Sequence, residues 1–120
     1  MAYDRNNVFA RILRGEIPSR KVYEDDYVLA FHDINPASPT HILVIPKGEY
    51  VSFDDFSATA SEAEIAAFVR AVGAIARERG VADSGYRILA NHGRDAHQEV
   101  PHFHVHIFGG RNLGRMISKA

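Results

Sequence analysis

Three histidines at alternate positions constrain the fold of this chain more than any other feature of its sequence. Residues 100–110 read VPHFHVHIFGG, so single apolar residues separate His102, His104 and His106. Successive side chains of a β-strand point to opposite faces of the sheet. The spacing therefore predicts a strand with three imidazoles on one face and an apolar opposite face. On a helix the rings would diverge by about 100° per residue.

The residues alone leave three interpretations of this pattern open. The histidines could be the polar side of an ordinary half-buried strand, although three in register by chance is improbable. They could bind a metal ion, because histidine is the commonest metal ligand and His-x-His pairs on strands suit metal coordination. They could also act on a phosphate, with one imidazole as nucleophile and the others orienting it or donating to phosphate oxygens.

The composition predicts one globular domain, residues 1–120, and excludes several classes of protein. Lys and Arg total 14 against 15 Asp and Glu, so the formal net charge is −1 and no basic field indicates a nucleic-acid partner. The chain has no cysteine, which excludes disulfides and thiolate metal sites. No apolar run approaches the roughly 18 residues of a membrane span, and the N-terminal residues lack an apolar signal core. We therefore expect a cytoplasmic protein with no membrane partner.

Two segments carry helix signals. The first helix follows the candidate N-caps Asn6 and Asn7, has apolar residues at helical spacing, and ends near Gly15. The second begins at the capping box formed by Ser61 and Glu64, carries an apolar stripe, and ends near residue 80. We expect both apolar faces to pack against a core, although part of the first could line a base pocket.

The remaining apolar segments alternate as strands do. The predicted strands are residues 21–24, 27–33, 40–47 and 86–91, together with the histidine segment. Residues 51–60 are expected to be a polar connection, and residues 92–99 a polar loop in front of the histidines. Because the hairpin connections are too short for parallel crossovers, the order predicts an α+β fold with an antiparallel sheet.

Three blocks of the sequence resemble the histidine triad superfamily of nucleotide hydrolases and transferases. HFHVHIF at residues 102–108 is similar to its His-x-His-x-His-x-x signature, in which x is apolar. FHDINPASPTHILVIPK at residues 31–47 resembles the second block, and VFARILRGEIPS at residues 8–19 resembles the opening helix and turn. Their order and spacing are similar to the Hint branch, the purine nucleoside phosphoramidases, over residues 5–113.

The resemblance implies a five-stranded antiparallel sheet with two helices, and a homodimer in which the sheet continues across the two-fold axis. It implies hydrolysis of purine nucleoside 5′-phosphoramidates, or of nucleotidyl-lysine, to the nucleoside monophosphate. The reaction would pass through a nucleotidyl-histidine intermediate and use no cofactor and no metal. The partner implied is therefore a purine nucleotide substrate.

The resemblance also implies roles for individual residues. His104 matches the nucleophile, and His106 matches the residue that contacts the phosphate and assists the leaving group. His102 and His41 match the pair that orients the nucleophile and fixes its tautomer. The positions assigned to the nucleotide are Val8, Phe9, Ile12, Phe31, His32 and Ile34 at the purine, Asp33 at the ribose, Asn91, Gln98 and Glu99 near the phosphate, and also Val100.

Other interpretations of these residues stay open. Asp33 could form a strand-end Asx turn, and each apolar residue of the purine wall could belong to the core without contacting a ligand. At the level of the whole protein, a purine-nucleotide-binding scaffold and a metal-binding protein remain alternatives to a hydrolase. For the metal site, His41 is the residue that could supply a fourth ligand.

The sequence departs from the Hint pattern at four places. Glu99 stands where many members have serine, and its carboxylate would repel a phosphate unless it turns away. His97 stands where glycine is common, and histidine is only modestly tolerated if that position needs a positive φ. Residues 7–10 lack the Cys-x-x-Cys of some bacterial relatives, so that zinc site is not expected. Residues 110–115 replace the Trp-Pro-Pro-Gly tail of animal members.

Overall fold

A five-stranded antiparallel sheet forms the centre of the molecule in a computed structural model, which describes residues 2–117. The strands are β1 (Lys21–Glu24), β2 (Val28–His32), β3 (Thr40–Pro46), β4 (Tyr86–Leu89) and β5 (Val105–Gly109). Their order across the sheet is β1-β2-β3-β5-β4, and every neighbouring pair is antiparallel. The predicted α+β class and antiparallel sheet are confirmed.

Three helices accompany the sheet in the described part of the chain: α1 (Val8–Leu13), α2 (Phe53–Thr59) and α3 (Glu62–Glu78). The Asn7 side chain accepts the backbone N–H of Ala10 and caps α1, as the sequence predicts. Ser61 and Glu64 form the predicted capping box of α3. None of the helices within residues 2–117 has the length and apolar character needed to cross a membrane.

The prediction of a polar connection over residues 51–60 was wrong, because α2 occupies most of it. The Ser52 side chain accepts the backbone N–H of Asp54, and the Asp55 carboxylate accepts those of Val51 and Ser52 at 2.8 Å each. Asp55 thus takes the place that Glu or Gln usually has in a capping box. The aspartates that indicated a loop satisfy the free N–H groups at the start of a helix.

The strand prediction for the histidine segment was correct only from Val105 onward. The ladder between β3 and β5 ends at the pair Val44 and Val105. Beyond it, the Pro46 carbonyl accepts a hydrogen bond from the ring Nε2 of His102 at 2.8 Å instead of one from a backbone N–H. Only His106 of the three histidines therefore lies within a strand, although the apolar residues between them still face one side.

The two faces of the sheet are covered unequally. On one face, α2 and α3 pack on the sheet through a large apolar cluster that includes Phe56, Phe68, Phe103, Val105 and Ile107. On the other face, Phe9 of α1 packs on a smaller apolar cluster, which consists of Leu29, Phe31, Leu43 and Ile45. The imidazole of His104 lies on this second face, with its ring centroid 4.9 Å from that of Phe9.

Candidate active site

A cavity of about 580 Å³ lies beside α1, at the ends of the central strands and under the loop of residues 91–100. The predicted site residues that line it are Val8, Phe9, Ile12, Phe31, His32, Asp33, Ile34, Asn91, Glu99, Val100, His104 and His106. The sequence-based prediction did not include six others that do so, namely Ile17, Pro18, Ser19, Leu43, Ala96 and His97. Residues 17–19 lie in the block that resembles the opening turn of the family, which was a usable signal.

The His104 ring is held in one tautomer by the backbone. Its Nδ1 lies 2.7 Å from the carbonyl oxygen of His102, and a carbonyl only accepts hydrogen bonds, so Nδ1 carries the proton. In the neutral ring Nε2 then has a free lone pair on the side of the cavity. Burial lowers the pKa of His104 below its usual range, which keeps the ring neutral at pH 7. A neutral imidazole with an unprotonated nitrogen at a cavity is a competent nucleophile.

A hydrogen bond links His41 to His106, and the contacts of the two rings define the tautomer of each. The backbone N–H of Ala37 donates to Nδ1 of His41 at 3.0 Å, so the neutral His41 ring carries its proton on Nε2. That nitrogen lies 3.0 Å from Nδ1 of His106 and donates to it. The proton of His106 is consequently on Nε2, where it can be donated to a bound group. Burial, with the neighbouring His104 and His41 rings, lowers the pKa of His106 to about 4.

His102 does not line the cavity, and its side chain is fully buried. Its Nε2 donates to the carbonyl of Pro46 at 2.8 Å, and its Nδ1 lies 2.6 Å from the hydroxyl of Tyr3. Burial lowers the pKa of His102 to about 4, so the ring is neutral and Nδ1 accepts from the tyrosine. His102 contacts His104 through its backbone carbonyl, and the sequence held no signal for Tyr3.

Asp33 forms the strand-end Asx turn that its sequence position allowed, and it also lies beside His41. One carboxylate oxygen accepts the backbone N–H of Asn35 at 2.8 Å, which is the strand-end Asx turn. The other lies 3.4 Å from Nε2 of His41. Because the side chain also lines the cavity, its carboxylate remains accessible to a ligand's hydroxyl groups.

Hydrogen bonds of the Gln98 side chain stabilise the loop of residues 91–100 beside the cavity. The Gln98 amide donates to the carbonyls of Val51 and Val100 at 2.7 and 3.0 Å, and its oxygen accepts the Gly93 N–H at 3.2 Å. Gln98 does not line the cavity, so the structure gives it a place in the loop scaffold. His97 has a φ of 58°, in the left-handed region that favours glycine, and glycine is the residue common at this position in the family pattern. Glu99 is exposed and lines the cavity.

Three of these side chains could together bind a metal ion. Asp33, His41 and His106 each offer one ligand atom, and the three atoms lie within 4.8 Å of one another. Imidazole and carboxylate ligands suit zinc, which in catalytic sites has three protein ligands and one open position. Metal binding would compete with the His41–His106 hydrogen bond, because both need the same nitrogens.

Comparisons with known proteins agree with the fold and with the histidine segment. The profile of the HIT domain family matches residues 14–113. An uncharacterised 13.2 kDa HIT-like protein of Azospirillum brasilense is 69% identical over 117 residues, covering 98% of this chain and 96% of that protein. The purine nucleoside phosphoramidase of Escherichia coli K12 is 44% identical over 111 residues, or 92% of each chain. The structure of a histidine triad protein from Clostridium difficile has a TM-score of 0.85 at 43% identity, and the alignment covers 97% of this chain and 100% of that one.

Proposed function

This chain belongs to the HIT domain family of nucleotide hydrolases, and we propose that it cleaves purine nucleoside 5′-phosphoramidates to the nucleoside monophosphate and the free amine. The proposal depends above all on one observation, the Nδ1 hydrogen bond from His104 to the His102 carbonyl. That bond leaves Nε2 of a neutral imidazole free at the cavity. The similarity to the Escherichia coli phosphoramidase supports the same reaction class.

In the proposed first step, Nε2 of His104 attacks the α-phosphorus, and the bond from phosphorus to the amine nitrogen breaks. The amine nitrogen takes up a proton from solvent before it departs, because the neutral His106 ring would become an imidazolate anion if it gave up its own. Nε2 of His106, the nitrogen that His41 leaves protonated, donates a hydrogen bond to the departing group. The positive charge that develops on the His104 ring is stabilised by its Nδ1–H donating to the His102 carbonyl.

In the second step, water attacks the phosphorus and displaces His104. The water gives up one proton to solvent as it bonds to phosphorus, and the His104 ring returns to its starting state while His106 keeps its proton throughout. The sum of the two steps consumes one water and releases one amine and one nucleoside monophosphate. Splitting the hydrolysis through a labile phosphorus–imidazole bond replaces one difficult step with two easier ones.

The remaining cavity walls suit a purine nucleoside. Val8, Phe9 and Ile12 from α1 and Phe31 from β2 offer apolar surface for a base. The Asp33 carboxylate at the same cavity can accept hydrogen bonds from both hydroxyls of a ribose, because an ionised carboxylate accepts without donating. These contacts support a nucleotide as the substrate class.

The test is hydrolysis of adenosine 5′-phosphoramidate by the protein and by His104→Ala. We expect the substitution to reduce kcat by at least about 10³-fold, since it removes the attacking nitrogen. His41→Ala should reduce kcat less, because it removes only the group that sets the tautomer of His106. Binding of adenosine monophosphate measured by calorimetry serves as the folding control. Activity retained by His104→Ala would remove the nucleophile assignment, and no turnover by the parent protein would favour a nucleotide-binding scaffold.

A metal-binding role is the second candidate, because Asp33, His41 and His106 form a group that could hold an ion. Under the proposed mechanism EDTA leaves the rate unchanged, and added zinc inhibits by occupying the nitrogens that pair His41 with His106. Loss of activity in EDTA that zinc restores would instead favour a metal centre. Elemental analysis of the purified protein gives an independent readout.

We further propose that the protein is a homodimer. The edge strand β4, together with α2 and α3, borders an apolar groove of about 680 Å³ on the far side of the sheet from the histidines. Exposed apolar side chains line it, namely Phe53, Val69, Tyr86 and Ile88. Pairing of β4 with the same strand of a second copy would cover both the open strand edge and these side chains.

A further inference from the structure

The N-terminal segment contributes one side chain to the interior of the histidine cluster. The Tyr3 hydroxyl lies 2.6 Å from Nδ1 of His102, and the two ring centroids are 5.5 Å apart at an interplanar angle of 69°. His102 has no exposed surface, so water does not reach this nitrogen. Without Tyr3 the buried Nδ1 lone pair would have no donor, which is a costly state for a polar atom.

The Tyr3 hydroxyl and the Pro46 carbonyl together hold the His102 ring at both of its nitrogens. The ring therefore has a single tautomer and a single orientation. The backbone carbonyl of the same residue accepts the Nδ1–H of His104 at 2.7 Å. Any rotation of the His102 ring that shifts its backbone also moves the acceptor that fixes the His104 tautomer.

The segment that carries Tyr3 is itself fixed to α1. The Asn7 amide donates to the Asp4 carbonyl at 2.7 Å while its oxygen caps the helix at Ala10. The guanidinium of Arg14 donates to the Arg5 carbonyl at 2.7 Å. Tyr3 is thus presented to His102 by the same element that supplies the apolar wall of the cavity.

We propose that Tyr3 is a positioning residue, whose hydroxyl holds the His102 ring so that the His102 carbonyl keeps the His104 proton on Nδ1. The inference rests on the proposed function, because it concerns the nucleophile of that reaction. Tyr3 makes no contact with the substrate and acts through His102.

The groups that face His102 support a neutral acceptor at Nδ1. The His104 ring lies next to it, and the edge of the Phe9 ring packs against it with centroids 6.3 Å apart. Burial lowers the pKa of His102 to about 4, although the hydrogen bond to the Pro46 carbonyl and the carboxylates of Asp55 and Glu49 raise it. At pH 7 the tyrosine is therefore the donor in this hydrogen bond.

The test compares Tyr3→Phe with Tyr27→Phe, which removes a hydroxyl from an exposed ring outside the cavity. For Tyr3→Phe we expect kcat on adenosine 5′-phosphoramidate to fall about tenfold, while the Kd for adenosine monophosphate stays within about twofold. In ¹⁵N spectra of histidine-labelled protein, the His104 signals should move from a pure Nδ1–H tautomer toward a mixture. A general loss of structure would weaken binding and turnover together.

The inference is overturned if Tyr3→Phe matches Tyr27→Phe in kcat, or if the His104 signals stay those of one tautomer. The unsubstituted protein provides a further measurement that needs no substrate and no variant. Its spectra should contain a tyrosine hydroxyl proton correlated with Nδ1 of His102, and a signal showing Nδ1 protonated at pH 7 would also overturn the inference. Failure of the proposed hydrolysis would show separately, as absence of turnover by the unsubstituted protein.

Discussion

At the scale of single residues, the candidate site depends on the position of one proton on each imidazole. Backbone groups that do not titrate fix two of these positions, the His102 carbonyl for His104 and the Ala37 amide for His41. His106 then takes its tautomer from His41. Burial is the main cause that lowers the pKa of all these histidines, so the neutral forms persist to below pH 6.5.

Replacing Asp33 with asparagine should move the acid limb of the kcat/KM profile to lower pH. The Asp33 carboxylate raises the pKa values of His41, His104 and His106 against the larger effect of burial. Its removal therefore lowers all three pKa values further. Because the reaction needs a neutral nucleophile, activity is lost as the pH falls through these pKa values, and in the variant that loss begins at lower pH. The profile of kcat/KM reports ionisations of the free enzyme and measures the shift directly.

The same variant should bind a nucleoside monophosphate more weakly, by roughly 1.5–3 kcal/mol for each charge-assisted hydrogen bond lost. A 2′,3′-dideoxynucleotide has no ribose hydroxyls to donate, so its affinity should be the same for both proteins. An acid limb displaced to higher pH, or an equal loss of affinity for the dideoxy ligand, would contradict the place given to Asp33.

Which residues gather at the cavity was predictable, whereas their hydrogen bonding was not. The alternation of apolar and polar residues determines the face on which a side chain lies. It therefore predicted the positions of His104 and His106 at the cavity, even though the strand begins later than expected. Tautomers depend on partners distant in sequence, such as Pro46 and Tyr3 for His102, and no local pattern records those contacts.

At the scale of elements, the shortness of α1 leaves room for the cavity. A helix of six residues is about 9 Å long, while the seven residues of β3 extend over roughly 23 Å. The helix therefore covers only part of the face on which His104 and His106 lie. The loop of residues 91–100 closes another side, and Gln98 braces it from within.

Two errors of the sequence prediction concern whole elements, namely the α2 helix and the start of β5. The α2 helix was missed because its aspartates suggested a loop, although Ser52 and Asp55 stand three residues apart as a capping box requires. The start of β5 was placed too early because the period of two continues through His102 and His104 after the ladder has ended. Periodicity reports which side of the chain is buried, and it does not report whether a neighbouring strand is present.

The loop conformation at His97 gives a test of backbone strain. A φ of 58° is unfavourable by roughly 1–2 kcal/mol for a residue that has a Cβ. Glycine avoids this strain, but its greater flexibility in the unfolded chain offsets about 0.5–1 kcal/mol of the gain. We expect His97→Gly to raise the free energy of unfolding by roughly 0.5–1 kcal/mol, measured by urea denaturation. His97→Ala keeps the Cβ and serves as the control. Equal stabilities of the two variants would show that the positive φ stores no strain.

At the scale of the whole molecule, the sheet separates two surfaces of different chemistry. The cavity lies on the α1 face. The apolar groove lies between β4 and α3 on the other face, and there the Val69 side chain is 64% exposed. A second copy covering that groove would leave the mouth of the cavity open, so assembly and nucleotide binding should be separable.

Val69→Glu should therefore convert the proposed dimer to a monomer that still binds nucleotide. A carboxylate in an apolar interface loses its hydration without gaining a partner, whereas at an exposed position of the monomer it costs little. Sedimentation velocity measures the assembly, and the Kd for adenosine monophosphate should stay within about twofold of the parent value. Ala74→Glu places the same charge at an exposed position of α3 outside the groove and should leave the dimer intact. A dimer that survives Val69→Glu would place the interface elsewhere, and a monomer that no longer binds nucleotide would mean that the site depends on the second copy.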